Sequence, residues 1–367
     1  MKKITVIFSL MAIMAMAAGA FAVETTVEGR IYSSWWMNLT DTTMTHDSAT
    51  VDLKGWNQFS LDRSYVTIKS KLSDYTSLNI TTDLRDSKDE MLNSFAGYMI
   101  VLKYGYIDWK LNFAPEKLSL RLGLQPTMYV DAIDAMMWGH RYVLNSVGDL
   151  NKMLTTSDLG ASVNYNIGEN SKYGFAGLSI WNGTSYTDLN EQNKSKDINP
   201  YVVFKPLAGN PDFEKTMIAA QFYTGTRNIP IDTTMKAGDY KRQIISVGAN
   251  LAYKDLFNVG GEFWSNTLGQ GPNVDDLKSS AISIFGNLKF RSLVGEDSPF
   301  RTLGLFGRYD IVDPNTDVDD NGNSLLIAGV ECTPVKGVAA SLNFRNKSYQ
   351  ADIKSESFLF LNTEFKF

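Results

Sequence analysis

The 367-residue chain is poor in the residues that staple folds or hold metals. Cys332 is the only cysteine, so no disulfide can brace the fold from within the chain. His46 and His140 are the only histidines, which leaves little for a histidine-built metal centre. Basic residues are in deficit, 35 against 40 acidic, giving a net charge of -5 that argues against a nucleic-acid partner. Past Val23 there is no run of about 18 apolar residues, so the sequence contains no transmembrane helix there. Nor is there a proline- or serine-rich linker to mark a domain boundary.

What is present begins with Lys2 and Lys3, an apolar run from Ile4 to Met16, and small residues ending in Ala20-Phe21-Ala22. This pattern predicts a cleaved signal peptide over residues 1–22 and export of a single domain, 23–367. No cysteine follows the cleavage site, so lipid attachment there is excluded. An exported chain that enters a membrane without helices must do so as a closed barrel.

From Val23 onward the sequence alternates with a period of two, and the turns punctuate it into about sixteen segments. The expected strands are 23–40, 57–73, 75–87, 97–113, 117–125, 157–168, 172–183, 198–207, 214–225, 242–253, 256–266, 278–290, 300–311, 324–333, 336–347 and 356–367. Joints after even-numbered strands are mostly tight, as at Ser73-Asp74-Tyr75 and Lys254-Asp255-Leu256, and joints after odd-numbered strands are longer and more polar. Each segment separates an apolar set from a polar one. Leu118, Leu120, Leu122 and Leu124 oppose Ser119, Arg121, Gly123 and Gln125. About sixteen strands enclose a space too wide for side chains to fill, so the charged set is expected to line water. The fold class read from this is all-β, a transmembrane antiparallel up-and-down barrel. The last segment, Phe358 to Phe367, would by itself serve equally as a half-buried edge strand of a soluble sheet.

That segment, ending on Phe367, resembles the closing strand of outer-membrane β-barrels. A second resemblance rests on the longest interruption of the alternation, Pro126 to Thr156. General porins and phosphate-selective porins have sixteen strands, and their third outer loop, between strands five and six, folds into the lumen. The interruption here falls in that place, after Arg121-Leu122-Gly123-Leu124-Gln125-Pro126, which is similar to a segment of the phosphate-selective group, as is Phe59-Ser60-Leu61-Asp62-Arg63-Ser64-Tyr65-Val66. The resemblance implies an outer-membrane porin of a Gram-negative bacterium, surrounded by lipid, homotrimeric, without cofactor or catalytic activity, passing small hydrophilic solutes and ions.

Within the interruption, Tyr129 to Trp138 reads as a short helix with Ile133, Met136 and Met137 on one side and Asp131 and Asp134 on another. The expected constriction sets Arg63, Arg85, Lys110 and Arg121 on the wall against Asp131 and Asp134 on the loop. That field would favour anions mildly, or else the charges pair with one another and merely solvate the lumen. Tyr32, Tyr104 and Tyr106 share inward parity and offer stacking faces, which keeps a sugar-selective channel open as an alternative. A secreted soluble β-rich carbohydrate-binding protein is the alternative from another class. Asp317, Asp319 and Asn321 have the spacing of half a calcium loop, but Ala328 stands where its bidentate glutamate would be. Outer-membrane phospholipases use a Ser-His-Asn arrangement; His140, beside Arg141, has no serine placed to partner it.

Overall fold

The computed structural model describes residues 24–46, 49–86, 97–188, 190–231 and 235–367. The expected signal peptide lies outside the described residues. Eighteen strands follow in order: β1 (Glu24–Asn38), β2 (Thr43–His46), β3 (Ala49–Asp52), β4 (Asn57–Lys71), β5 (Thr76–Asp86), β6 (Tyr98–Lys110), β7 (Leu118–Pro126), β8 (Ser157–Asn166), β9 (Gly174–Trp181), β10 (Asp197–Phe204), β11 (Met217–Thr226), β12 (Lys241–Tyr253), β13 (Phe257–Leu268), β14 (Leu277–Lys289), β15 (Leu303–Asp313), β16 (Asn323–Val335), β17 (Val338–Tyr349) and β18 (Glu356–Lys366). Strands β2 and β3 form a separate hairpin in the first long joint, and the other sixteen close one antiparallel barrel in which β1 pairs with both β4 and β18.

Burial along the wall inverts the rule for soluble sheets. In β12, Ser246, Gly248 and Asn250 face inward while Ile245 is 50% exposed, Val247 44% and Leu251 46%. In β14 the outward pair is Ile282 and Ile284, against Ser283 within. An outer surface of large aliphatic side chains around a polar interior is what a bilayer demands of a barrel and what a soluble sandwich could not tolerate. No described helix is long and apolar enough to cross a membrane.

Closure depends on the carboxy-terminal strand. Ile31 stands opposite Phe365 and Trp35 opposite Leu361, and Phe367 exchanges backbone hydrogen bonds with Gly29 at 3.0 and 3.1 Å. The Phe367 ring lies where a side chain at residue 29 would be, which is why glycine stands there. The tight joints need their own conformers: Gly337 sits at φ +85° and Lys254 at φ +49°.

Candidate pore constriction

The segment between the fifth and sixth wall strands, β7 and β8, enters the barrel. Its ends are zipped together: Thr127 N–H donates to Thr156 O at 3.0 Å and the Thr127 hydroxyl to Thr155 O at 2.6 Å. A single α-turn, Met128–Asp131, runs directly into a π-helix over Ala132–Trp138. The expected short helix is thus present, for most of its length as a wider coil, closed by the i→i+5 bond from Gly139 N–H to Asp134 O at 3.1 Å and ended by Gly139 at φ +71°. Widening the coil turns Asp134 inward, where it is buried, while Asp131 stays exposed.

The coil docks on one side of the barrel. Tyr129, Val130, Ile133, Met137 and Trp138 are all buried. Tyr129 meets Trp264 of β13 edge-on at 5.3 Å, and Trp138 packs against Phe285 of β14 at 5.7 Å and Phe306 of β15 at 6.2 Å. Gly248 of β12 leaves room for Ile133. Each fully buried side chain of this kind contributes about 1.5–3 kcal/mol. Polar pins fix the register: Asn258 Nδ2 donates to Met137 O (2.6 Å), Val147 N–H to Glu262 (3.1 Å), Arg308 to Asn145 O (2.5 Å) and Arg345 to Val143 O (2.8 Å). His140 lies 4.8 Å from the Phe306 ring with its Nδ1 2.9 Å from Trp138 O and its Nε2 3.2 Å from Glu331. Tyr142 donates to the same Glu331 carboxylate at 2.8 Å.

Because the loop is held by β12 to β17, space remains on the far side. A cavity of about 890 Å³ runs between the loop and the wall of β1, β4, β5 and β6. Tyr32, Tyr65, Tyr104 and Tyr106 line its wall side, and Asp131, Asp134 and Arg141 its loop side. The tyrosines are paired edge-on, Tyr32 with Tyr65 at 5.9 Å and Tyr104 with Tyr106 at 6.4 Å.

Ion pairs distribute the expected constriction residues differently from a wall facing a loop. Arg121 forms a double contact with Asp108, its direct cross-strand partner, at 2.9 and 2.8 Å, and its guanidinium lies 4.4 Å from the Tyr106 ring. Arg121 and Lys110 line a second, smaller cavity of about 360 Å³, together with Met128 and the turn around Asp74. Arg63 is bound to Asp83 at 3.0 Å. Asp134 is bound to Arg141 and accepts from Ser146 N–H at 2.6 Å. Of the expected acidic pair, Asp134 is thus neutralised, while Asp131 faces the main cavity without an ion-pair partner among the described residues. The backbone of Arg85 pairs with Met99; its side chain lies outside what the structure describes.

Elsewhere on the wall Lys69 pairs with Glu28, Lys366 with Glu364, and Arg308 with Asp310. Wall charges one or two residues apart therefore neutralise each other locally. In the acidic outer loop Asp317 faces Lys278 at 3.2 Å and Asn321 donates to Asn315 O at 2.9 Å; Asp319 joins neither contact. No group of three metal-ligating side chains occurs among the described residues, so the calcium-like spacing does not gather a ligand set.

Two site residues escaped sequence reasoning. Strict alternation turns Lys103 toward lipid, but β6 carries a bulge: Thr81 pairs with Tyr104 and Thr82 with Leu102, leaving Lys103 as the extra residue, turned inward and 4% exposed. The signal was available, because the outward apolar set changes parity from Ile100 and Leu102 to Ile107 and Trp109. Arg141 left no such trace. It bridges Asp134 and Asp149, the latter at 3.0 Å. Burial is the largest single influence and acts to lower its pKa, but the Asp149 carboxylate together with Tyr65, Tyr104 and Tyr32 outweighs it and the net shift is upward, so Arg141 stays charged.

No protein-family model and no curated protein matches the chain. Solved structures do match. The high-pH structure of Pseudomonas putida OprB is similar with a TM-score of 0.65 at 9% identity, covering 94% of each chain. OmpT of Vibrio cholerae gives 0.61 at 12% identity, covering 95% of this chain and 98% of that one. The outer-membrane channel DcaP of Acinetobacter baumannii gives 0.60 at 10%, covering 94% and 97%. The closed sixteen-stranded barrel is thus the fold of outer-membrane porins and channels. At these identities the likeness establishes the fold alone.

Proposed function

We propose that the chain is a passive diffusion channel of a Gram-negative outer membrane, admitting small hydrophilic solutes and ions with a mild anion preference. The observation that carries this is a cavity lined by tyrosines and charged side chains, beside a loop docked inside a barrel whose outer face is apolar. The preference is mild because Arg63, Arg121, Lys69 and Arg308 are each neutralised by an adjacent carboxylate. Lys103 and Arg345 carry charge without a carboxylate contact among the described residues, against the exposed Asp131. No catalytic role is assigned to His140, since both its ring nitrogens face loop or wall acceptors.

Assembly as a homotrimer fits the outward face. By register, Ser33, Ser64, Thr82 and Thr363 put hydroxyls on the outside of β1, β4, β5 and β18, and Ser33 bonds Thr363 at 2.7 Å. Strands β12 to β17 present Val247, Phe263, Ile284, Tyr309, Leu326 and Phe344, all at least 38% exposed, while β4 and β18 add Val66 and Phe365 to the hydroxyls. A structure titled as the trimer form of Vibrio cholerae OmpT, TM-score 0.56 at 12% identity, shares the fold. Purified protein in planar bilayers should give discrete conductance steps and a reversal potential slightly toward anions in a salt gradient. Absence of conductance from heat-modifiable, folded protein would overturn the channel reading, and cross-linking that yields only monomer would overturn the trimer.

A further inference from the structure

We propose that the cavity between the loop and the tyrosine wall selects small zwitterions, receiving their carboxylate at Lys103 and their ammonium at Asp131. This rests on the channel reading and adds to it a solute class. Among the charges lining the cavity, Asp131 on the loop and Lys103 on the β6 wall have no ion-pair partner among the described residues; the further unpaired cation, Lys336, belongs to the turn between β16 and β17.

On the wall that charge is Lys103. The β6 bulge carries its ammonium inward, and Thr156 Oγ1, at 3.3 Å, is its one hydrogen-bond acceptor among the described residues. The rings of Tyr65, Tyr186 and Tyr104 surround it at 5.0, 5.2 and 5.5 Å. Aromatic faces stabilise a cation without satisfying its three N–H donors, so two donors remain for an incoming acceptor. On the adjoining strand β5, the Asp83 carboxylate is committed to Arg63 and also receives the Tyr186 hydroxyl at 3.4 Å.

On the loop the charge is Asp131, exposed and lining the same cavity. Its neighbours in the loop cannot neutralise it, because Arg141 already serves Asp134 and Asp149. A simple anion gains at Lys103 but is repelled at Asp131, and a simple cation meets the reverse. A solute with a carboxylate and an ammonium a few bonds apart gains at both ends. Neutral polyols gain at neither and retain only hydrogen bonds and ring contacts with the tyrosines.

Liposome swelling with the full-length protein separates these cases. Glutamine should enter about threefold faster than a size-matched neutral polyol, the scale of one screened ion-pair contact at each end. Lys103→Met and Asp131→Asn should each abolish that preference, the double variant should add nothing further, and Lys103→Arg should restore most of it. Heat-modifiable mobility and potassium chloride conductance in each variant establish that the barrel is intact. Equal rates in the wild type, a preference for the polyol, or a glutamine preference that survives both substitutions would overturn the proposal. A wild type that neither swells nor conducts would instead overturn the channel reading beneath it.

Discussion

Removing the Trp138 side chain should release the constriction loop while leaving the barrel closed. Trp138 is 1% exposed, lies between Phe285 and Phe306, and donates its indole N–H to Leu144 O at 2.8 Å. The Arg308 guanidinium stacks on it at 5.3 Å. Truncating a buried tryptophan to alanine costs about 3–5 kcal/mol. Nearly all of that falls on loop docking, because Trp138 belongs to no wall strand. Each 1.4 kcal/mol is about tenfold, so Trp138→Ala should move the docked-to-undocked ratio by about two to three and a half orders of magnitude. The remaining pins, from Asn258, Glu262 and Arg345, keep the loop close to the wall. The expected single-channel record shows higher mean current with large fluctuations, and the loop becomes cleavable by added protease. Unchanged conductance, noise and protease resistance in a folded variant would refute the account of what seats the loop.

Arg121→Glu replaces a neutral Arg121–Asp108 pair by two carboxylates and should shift the reversal potential toward cations; the shift should shrink as salt is raised, because the Debye length falls to about 3 Å at 1 M. An unchanged ion preference at low salt would remove Arg121 from the permeation path. His140 faces an acceptor at each ring nitrogen, Trp138 O and the Glu331 carboxylate, with Tyr142 also on Glu331 and the Arg308–Asp310 pair nearby on β15. His140→Leu removes both contacts and should loosen this part of the loop, raising current noise at fixed pH. A folded variant with wild-type noise would contradict this.

The sixteen wall strands were legible because each is a plain period-two pattern ended by turn residues, and the lipid face forbids a slip in register. Every expected strand overlaps an observed one, and the loop lies where the alternation stops. What alternation could not carry is whatever departs from it. The Thr81–Thr82 bulge costs one residue of register and moves Lys103 from lipid to lumen, a change visible only as the parity switch between Leu102 and Ile107. The π-coil differs from an α-helix by one residue per hydrogen bond, and no residue pattern distinguishes them over seven positions. Inward parity of Arg121 and Asp108 was readable, but parity does not say that two adjacent rungs spend their charges on each other. Arg141 lies in an irregular segment, where only the tertiary seat defines direction.

The most direct measurement places a reporter in the path itself. Asp131→Cys puts one thiol on the loop where it borders the cavity, while native Cys332, of lipid-facing parity, serves as the control in the unmodified protein. A bulky water-soluble thiol reagent added to a single channel should lower the current of the Asp131→Cys variant in discrete steps, reversed by reductant, and leave the wild type unchanged. A variant that reacts, as mass measurement would establish, yet conducts as before would mean that ions do not pass between this loop and the tyrosine wall.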